Sequence, residues 1–233
     1  MEDKKFLLGL DVGMMQDYSA LSMIEQVETV ESADLVERLM EHYEVKYHLV
    51  LLERFPLNTQ YPAVVQRVKE ILINPEVERN NKLIVDSTGI GEGIVQMFRE
   101  KGVDPVSITI TGGTAVTENP GQYEGYHVPK RDLVSAVVRV LQGGRLKIAE
   151  GLKLGPVFEE EMQSFSYTLD KKTGHDSYES ASTKIHDDLV LSVSLACWYG
   201  IKYERHMQEF FQDNYHGDEE INARYNYHTG RLE

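Results

Sequence analysis

Four aspartates stand where a carboxylate can do chemistry. Asp11 closes the apolar run FLLGLDVG, Asp86 closes a second one, KLIVDSTG, and Asp187 and Asp188 sit side by side ahead of the apolar stretch LVLSVSLACWYG. A short apolar run that ends in an acid and a glycine reads as a buried strand delivering a side chain to a sheet edge. Ends of adjacent strands lie close in space, and a helix packed over them adds a further ligand, so these carboxylates can converge. Hard divalent cations such as Mg²⁺ or Mn²⁺ prefer oxygen ligands, and two such ions about 4 Å apart activate water and stabilise the leaving oxygen in phosphodiester cleavage. In that arrangement Asp11 bridges both ions, Asp86 and Asp188 each anchor one, and Asp187 joins them or holds bound water. Neighbours on a helix point about 100° apart, so Asp187 and Asp188 both reach the ions only if the helix starts there. Each acid also has a plainer role open to it: a turn at a strand end for Asp11 and Asp86, a helix cap for Asp187 and Asp188.

The elements that must position these residues follow from periodicity and punctuation. FLLGLDVG is a first strand, SALSMIEQ its antiparallel partner after a turn over Met14 to Tyr18, and KYHLVLLERF a third strand. Between the second and third, ADLVERLMEHYE has helical spacing at Leu35, Leu39 and Met40. YPAVVQRVKEILI repeats apolar residues at three and four, with Pro62 in its first turn, and predicts a helix. KLIVDSTG, the helix GEGIVQMFREKG closed by Gly102, and the alternating VSITIT come next. GGTAVTENPGQYEGYHV is rich in turn formers and reads as a long surface loop. A helix over Lys130 to Leu141, a short strand RLKIA, a helix GPVFEEEMQSF, two strands within SYTLDKKTGHDSYES and a long helix HDDLVLSVSLACWYGIKYE complete the chain. The order is mixed α/β. The expected division is one domain over residues 1–205, with an acidic insertion at about 27–47, and a polar tail over 206–233.

Composition sets limits on function. A chain of 233 residues, 41% hydrophobic and 27% charged, suits one globular α/β domain. No apolar run approaches the roughly 20 residues of a membrane span, and the N-terminus carries no signal-peptide pattern, so the expectation is a cytoplasmic protein without a membrane partner. The lone Cys197 lies in an apolar run and reads as a small buried residue. The net charge of −14 runs against the electropositive footprint of nucleic-acid binding. Much of that acid is local: Glu25, Glu28, Glu31, Asp34, Glu37, Glu41 and Glu44 face only Arg38, and the tail adds another acidic run. Carboxylates that bind divalent metal also carry charge that the metal offsets once bound.

Four segments resemble the nuclease domain of the large terminase subunit of tailed bacteriophages. GLDVGMMQDYSALSMIE resembles its opening strand motif, LIVDSTGIGEGIVQMF its second acidic strand and following helix, and VPKRDLVSAVVRVLQGGRLKIA its downstream helix and strand. GHDSYESASTKIHDDLVLSVSLACWYG resembles its terminal Gly-His-Asp hairpin and His-Asp-Asp helix. The likeness runs in order from Phe6 to Tyr199. It implies an RNase H-like fold, a central mixed β-sheet flanked by α-helices, with Asp11, Asp86, Asp187 and Asp188 at the metal positions. It further implies two divalent ions, Mg²⁺ or Mn²⁺, and cleavage of concatemeric double-stranded viral DNA during genome packaging in the host cytoplasm. The partners implied are a motor ATPase domain, the portal and the small terminase subunit. The chain has no GxxxxGK[ST] phosphate loop, so ATP-driven translocation does not follow from it; the expectation is an excised domain or a separate nuclease polypeptide.

Around the acids, Lys130 and Arg131 suit contact with scissile-strand phosphates, and Lys171 and Lys172 suit DNA contact from a hairpin tip. His175 and Asp176 orient substrate or stabilise the hairpin, Asp17 lies near the site, and His186 donates to a metal-bound carboxylate. Every one of these also has a purely structural reading. Three other functions compete: a Holliday-junction-resolvase-like nuclease sharing the carboxylate logic, an actin-like or sugar-kinase nucleotide-binding protein, and a non-catalytic packaging or assembly module. The nucleotide-binding reading needs a second domain and a later glycine-rich phosphate motif, for which 233 residues leave little room.

Overall fold

The computed structural model describes residues 4–14, 17–30, 43–171, 186–215, 225–226 and 231–232. It begins with an antiparallel meander: β1 (Lys5–Asp11) pairs with β2 (Ala20–Val30), which pairs with β3 (Tyr43–Arg54). The helices α1 (Tyr61–Leu72) and α2 (Pro75–Glu78) then carry the chain to β4 (Asn81–Asp86), which lies parallel to β1. Next come α3 (Gly91–Glu100), β5 (Val106–Thr111), β6 (Thr117–Glu118), β7 (Gly125–Pro129), α4 (Lys130–Gln142) and β8 (Leu146–Ile148). Two long helices close the domain, α5 (Gly155–Lys171) and α6 (Asp188–Tyr215). The eight strands form one mixed sheet in the order β6-β7-β5-β4-β1-β2-β3-β8. This is the fold class expected from the sequence, a central mixed sheet flanked by helices, and it is consistent with the RNase H-like architecture.

A core lies on each face of the sheet, and side chains alternate between them along each strand. In β1, Leu7 packs into the core shared with α4, α5 and α6, whereas Phe6, Leu8 and Leu10 pack into the core shared with α1, α2 and α3. In β4, Ile84 faces the first core, and Leu83 and Val85 face the second. Strands covered on both faces explain why these segments read as unbroken apolar runs rather than alternating ones. The same alternation sets the direction of the acids: Asp11 follows the register of Leu7, and Asp86 that of Ile84, so both belong to the face that α6 covers.

The approach of α6 to the sheet demands two glycines. A Cβ on Gly9 would stand 1.9 Å from the Ser192 carbonyl oxygen, and one on Gly200 would stand 2.6 Å from the Tyr47 ring. Tyr47 in turn donates its hydroxyl to Glu204, which Arg145 also holds at 3.1 Å, tying α6 to β3 and to the turn before β8. Cys197 is buried in α6, as its apolar surroundings require. Among the described residues no helix is long and apolar enough to cross a membrane.

Three expectations need correction. SYTLDK is not a strand: α5 runs unbroken from Gly155 to Lys171, because neither proline nor glycine follows Pro156 before Gly174 to stop it. Residues 112–128 are not wholly loop, since β6 and β7 lie within them and Tyr126 and Val128 are buried in the sheet. The third strand starts earlier than expected, with Tyr43 and Glu44 already in β3. The rest of the helix expected over ADLVERLMEHYE, and the remainder of the expected hairpin, lie outside the described residues.

Candidate functional site

Asp11 and Asp86 end neighbouring parallel strands, in register one residue beyond the Leu10–Val85 pair. Each is 8% exposed. Asp86 also shapes the turn that follows it, accepting a hydrogen bond from the Thr88 backbone N–H at 2.8 Å. Gly91 opens α3 where a Cβ would stand 2.0 Å from the Asp86 carbonyl oxygen, so this strand-to-helix turn is as tight as its glycines permit. On the opposite side of the site, the β1–β2 turn is held by Gly13, whose N–H donates to Ser19 Oγ at 3.1 Å. α6 begins at Asp188 with Asp187 immediately before it, which is the helix start that two adjacent aspartates need to serve one site.

These four aspartates line a single cavity of about 270 Å³, together with Asp17, Tyr18, Thr88, His186 and the Val12–Met14 turn. Asp17 is exposed at the rim. His186 packs edge-on against Tyr18, with ring centroids 5.0 Å apart. Lys130, at the first turn of α4, donates to Asp187 Oδ2 at 2.7 Å. Its neighbour Arg131 points elsewhere, to the Thr114 carbonyl at 2.9 Å and to Asp132. Lys171 is the last residue of α5, whereas Lys172, His175 and Asp176 lie outside the described residues.

Two residues that sequence reasoning missed complete the cluster. Arg54, the last residue of β3, grips Asp188 with both arms of its guanidinium: Nε to Oδ2 at 2.7 Å and Nη2 to Oδ1 at 3.1 Å. The same Nη2 donates to Glu161 on α5, and the other oxygen of Glu161 accepts from the Val190 N–H in the first turn of α6. Glu161 is only 3% exposed. Its signal was present in the sequence: it falls three residues after Phe158 and directly before Met162, both buried, so an acid stood on the apolar face of that helix.

The electrostatics reflect crowding of like charge. Burial first, then the charges of Asp86, Asp187 and Asp188, holds the Asp11 carboxyl well above the usual carboxylate range, against the opposing pull of Lys130. Burial likewise raises Asp86, offset in part by its hydrogen bonds to Thr88 and Asp11. Asp188 is raised by burial despite Arg54, and Glu161 is pushed up to about 7 by burial and by Asp188. Such groups hold protons in the folded chain that the unfolded chain has already released. Their contribution therefore makes stability fall as pH rises from the ordinary carboxylate range, about 4, through the raised values. We expect thermal melts in EDTA to show the melting temperature declining between about pH 5 and 7, and a flat or rising profile would contradict the crowding.

The donor set is what a hard divalent cation takes: oxygen ligands only, anionic, and partly withdrawn from water. Among the described residues no group of three or more His, Cys, Asp or Glu side chains is gathered to hold a metal ion. Asp187 and Asp188 are instead drawn onto Lys130 and Arg54.

No protein-family model matches the sequence, and no curated protein does. Among solved structures the chain is similar to the large terminase nuclease from thermophilic phage G20c, with 17% identity and a TM-score of 0.49 over 83% of this chain and 81% of that one. It is also similar to the Mn-soaked human cytomegalovirus terminase nuclease domain, with 13% identity and a TM-score of 0.44 over 84% of this chain and 83% of that one.

Proposed function

We propose that this chain is a metal-dependent DNA endonuclease of the large-terminase kind, cutting concatemeric viral DNA during packaging by two-metal-ion phosphodiester hydrolysis. The observation that carries the reading is the meeting of Asp11, Asp86, Asp187 and Asp188, from three distant parts of the sequence, around one cavity. The order of the motifs that contain them supports it. Asp11, Asp86, Asp187 and Asp188 would hold two Mg²⁺ or Mn²⁺ ions, which supply an activated water and charge stabilisation for the departing oxygen. The chain's own part is to fix these carboxylates on two rigid strands and a helix start, and to keep the turn around Asp86 tight.

Lys130 serves the site from within, holding Asp187 in place, and Arg131 beside it would contact the phosphate backbone of a bound DNA. A net charge of −14 makes weak binding of DNA by the isolated chain the expected behaviour. The motor ATPase, the portal and the small terminase subunit would bring the DNA to it, in the host cytoplasm. Cutting is then largely independent of sequence and governed by those partners.

Supercoiled plasmid incubated with the purified chain tests this directly. Nicked and linear products should appear with Mn²⁺ or Mg²⁺ and not with EDTA. A folded protein that neither cuts nor binds Mn²⁺ would favour the assembly-module reading, and a strong preference for four-way junctions over plasmid would favour a resolvase.

A further inference from the structure

Arg54 lies between two carboxylates with different surroundings. Asp188 borders the cavity, whereas Glu161 lies outside its lining, buried under α6 and pinned by the Val190 N–H. The guanidinium reaches both at once, with Nη2 shared between them and Nε given to Asp188. Tyr18 covers it, its ring centroid 5.1 Å from the guanidinium carbon. The guanidinium thus engages both oxygens of Asp188, the atoms for which a divalent cation at the cavity would compete.

We propose that Glu161 is a positioning residue that anchors Arg54, so that Asp188 can pass from the guanidinium to a divalent cation at the site. This inference rests on the metal-dependent reading above. Without a second carboxylate, a cation entering beside Asp188 would face an uncompensated guanidinium in a poorly solvated place, where like charges repel strongly. With Glu161 fixed by the helix start, Arg54 keeps a second carboxyl partner whichever way Asp188 turns. Arg54 meanwhile holds Asp188 in place without leaving it unpaired. Glu161 thus governs metal affinity without touching metal or substrate.

The test is Mn²⁺ titration followed by the loss of the free-ion electron paramagnetic resonance signal, on the whole chain, with a thermal melt of each variant. Glu161→Gln preserves shape and can still accept from the Val190 N–H, and it should raise the Mn²⁺ half-saturation by about tenfold, the scale for a group that acts on a ligand from outside. The pair Arg54→Gln with Glu161→Gln removes both charges and should return half-saturation to within about threefold of wild type, or below it, as a purely structural Glu161 would not. The double variant also carries the test if Glu161→Gln alone does not fold. A folded Glu161→Gln that binds Mn²⁺ as wild type does, or a double variant no better than the single, overturns the inference and leaves the nuclease reading standing. Wild-type protein that binds no Mn²⁺ overturns both.

Discussion

Asp11→Asn should abolish metal-dependent cleavage while making the metal-free protein harder to melt. Asparagine keeps the shape of the side chain and can still hydrogen bond to Asp86, but it removes the carboxylate most burdened by its neighbours. Removing one group that stabilises charge at a reacting centre costs on the order of 10²–10³ in rate, and the loss of a metal-holding carboxylate is expected to cost at least as much. The same change relieves repulsion from Asp86, Asp187 and Asp188. A gain of roughly 1 kcal/mol is then expected, about 2–4 °C for a chain of this size. Plasmid cleavage and melts in EDTA measure the two halves separately. Cleavage retained within tenfold of wild type would remove Asp11 from the site, and a fall in melting temperature would show that its charge is better compensated than the cavity indicates.

Gly9→Ala should be among the most damaging single methyls at the described glycines. The added carbon would stand 1.9 Å from the carbonyl oxygen of Ser192, and that oxygen belongs to the backbone of α6, so no side chain can swing aside. Either the helix lifts or the strand bows, and both open the core that Leu7, Ile84, Val193 and Ala196 share. We expect a loss of roughly 3 kcal/mol, or about 6–12 °C in melting temperature, with weaker cleavage because Asp187 and Asp188 ride on the displaced helix. Gly93→Ala is the control: it is exposed in α3 with nothing within 4 Å of the new carbon, and it should stabilise slightly. A Gly9→Ala protein as stable as wild type would mean that α6 does not seat on β1 as closely as the structure has it.

The acids were legible because their signals are local. An apolar run closed by an aspartate and a glycine can be read without knowing what lies beside it, and so can two aspartates ahead of an apolar helix. Arg54 gave no such signal and Glu161 only a faint one, an acid on an apolar helix face, since their meaning comes from partners 134 and 107 residues apart along the chain, Asp188 and Arg54 respectively. Arg54 looked like the polar end of a strand, and Glu161 was one of three successive glutamates. The α5 error had a different source. SYTLDK alternates as a strand does, but a helix already running continues through such a stretch unless a breaker intervenes. The glycine-rich stretch misled in the opposite direction, its turn formers hiding the buried Tyr126 and Val128 of β7.

The placement of α6 also orders events in time. The meander β1–β2–β3 and the parallel strand β4 are complete by residue 86, so Asp11 and Asp86 can be brought together before α6 is made. Asp187 and Asp188 leave the ribosome on the order of ten seconds later, at ordinary rates of elongation. Until α6 has been made and has closed over Gly9, the nascent chain carries two of the four aspartates of the cluster and the α6 side of the sheet is open. A chain cut short before α6 is therefore both unable to bury that core and unable to assemble the acidic cavity, and under the proposed function such incomplete products would not cut DNA.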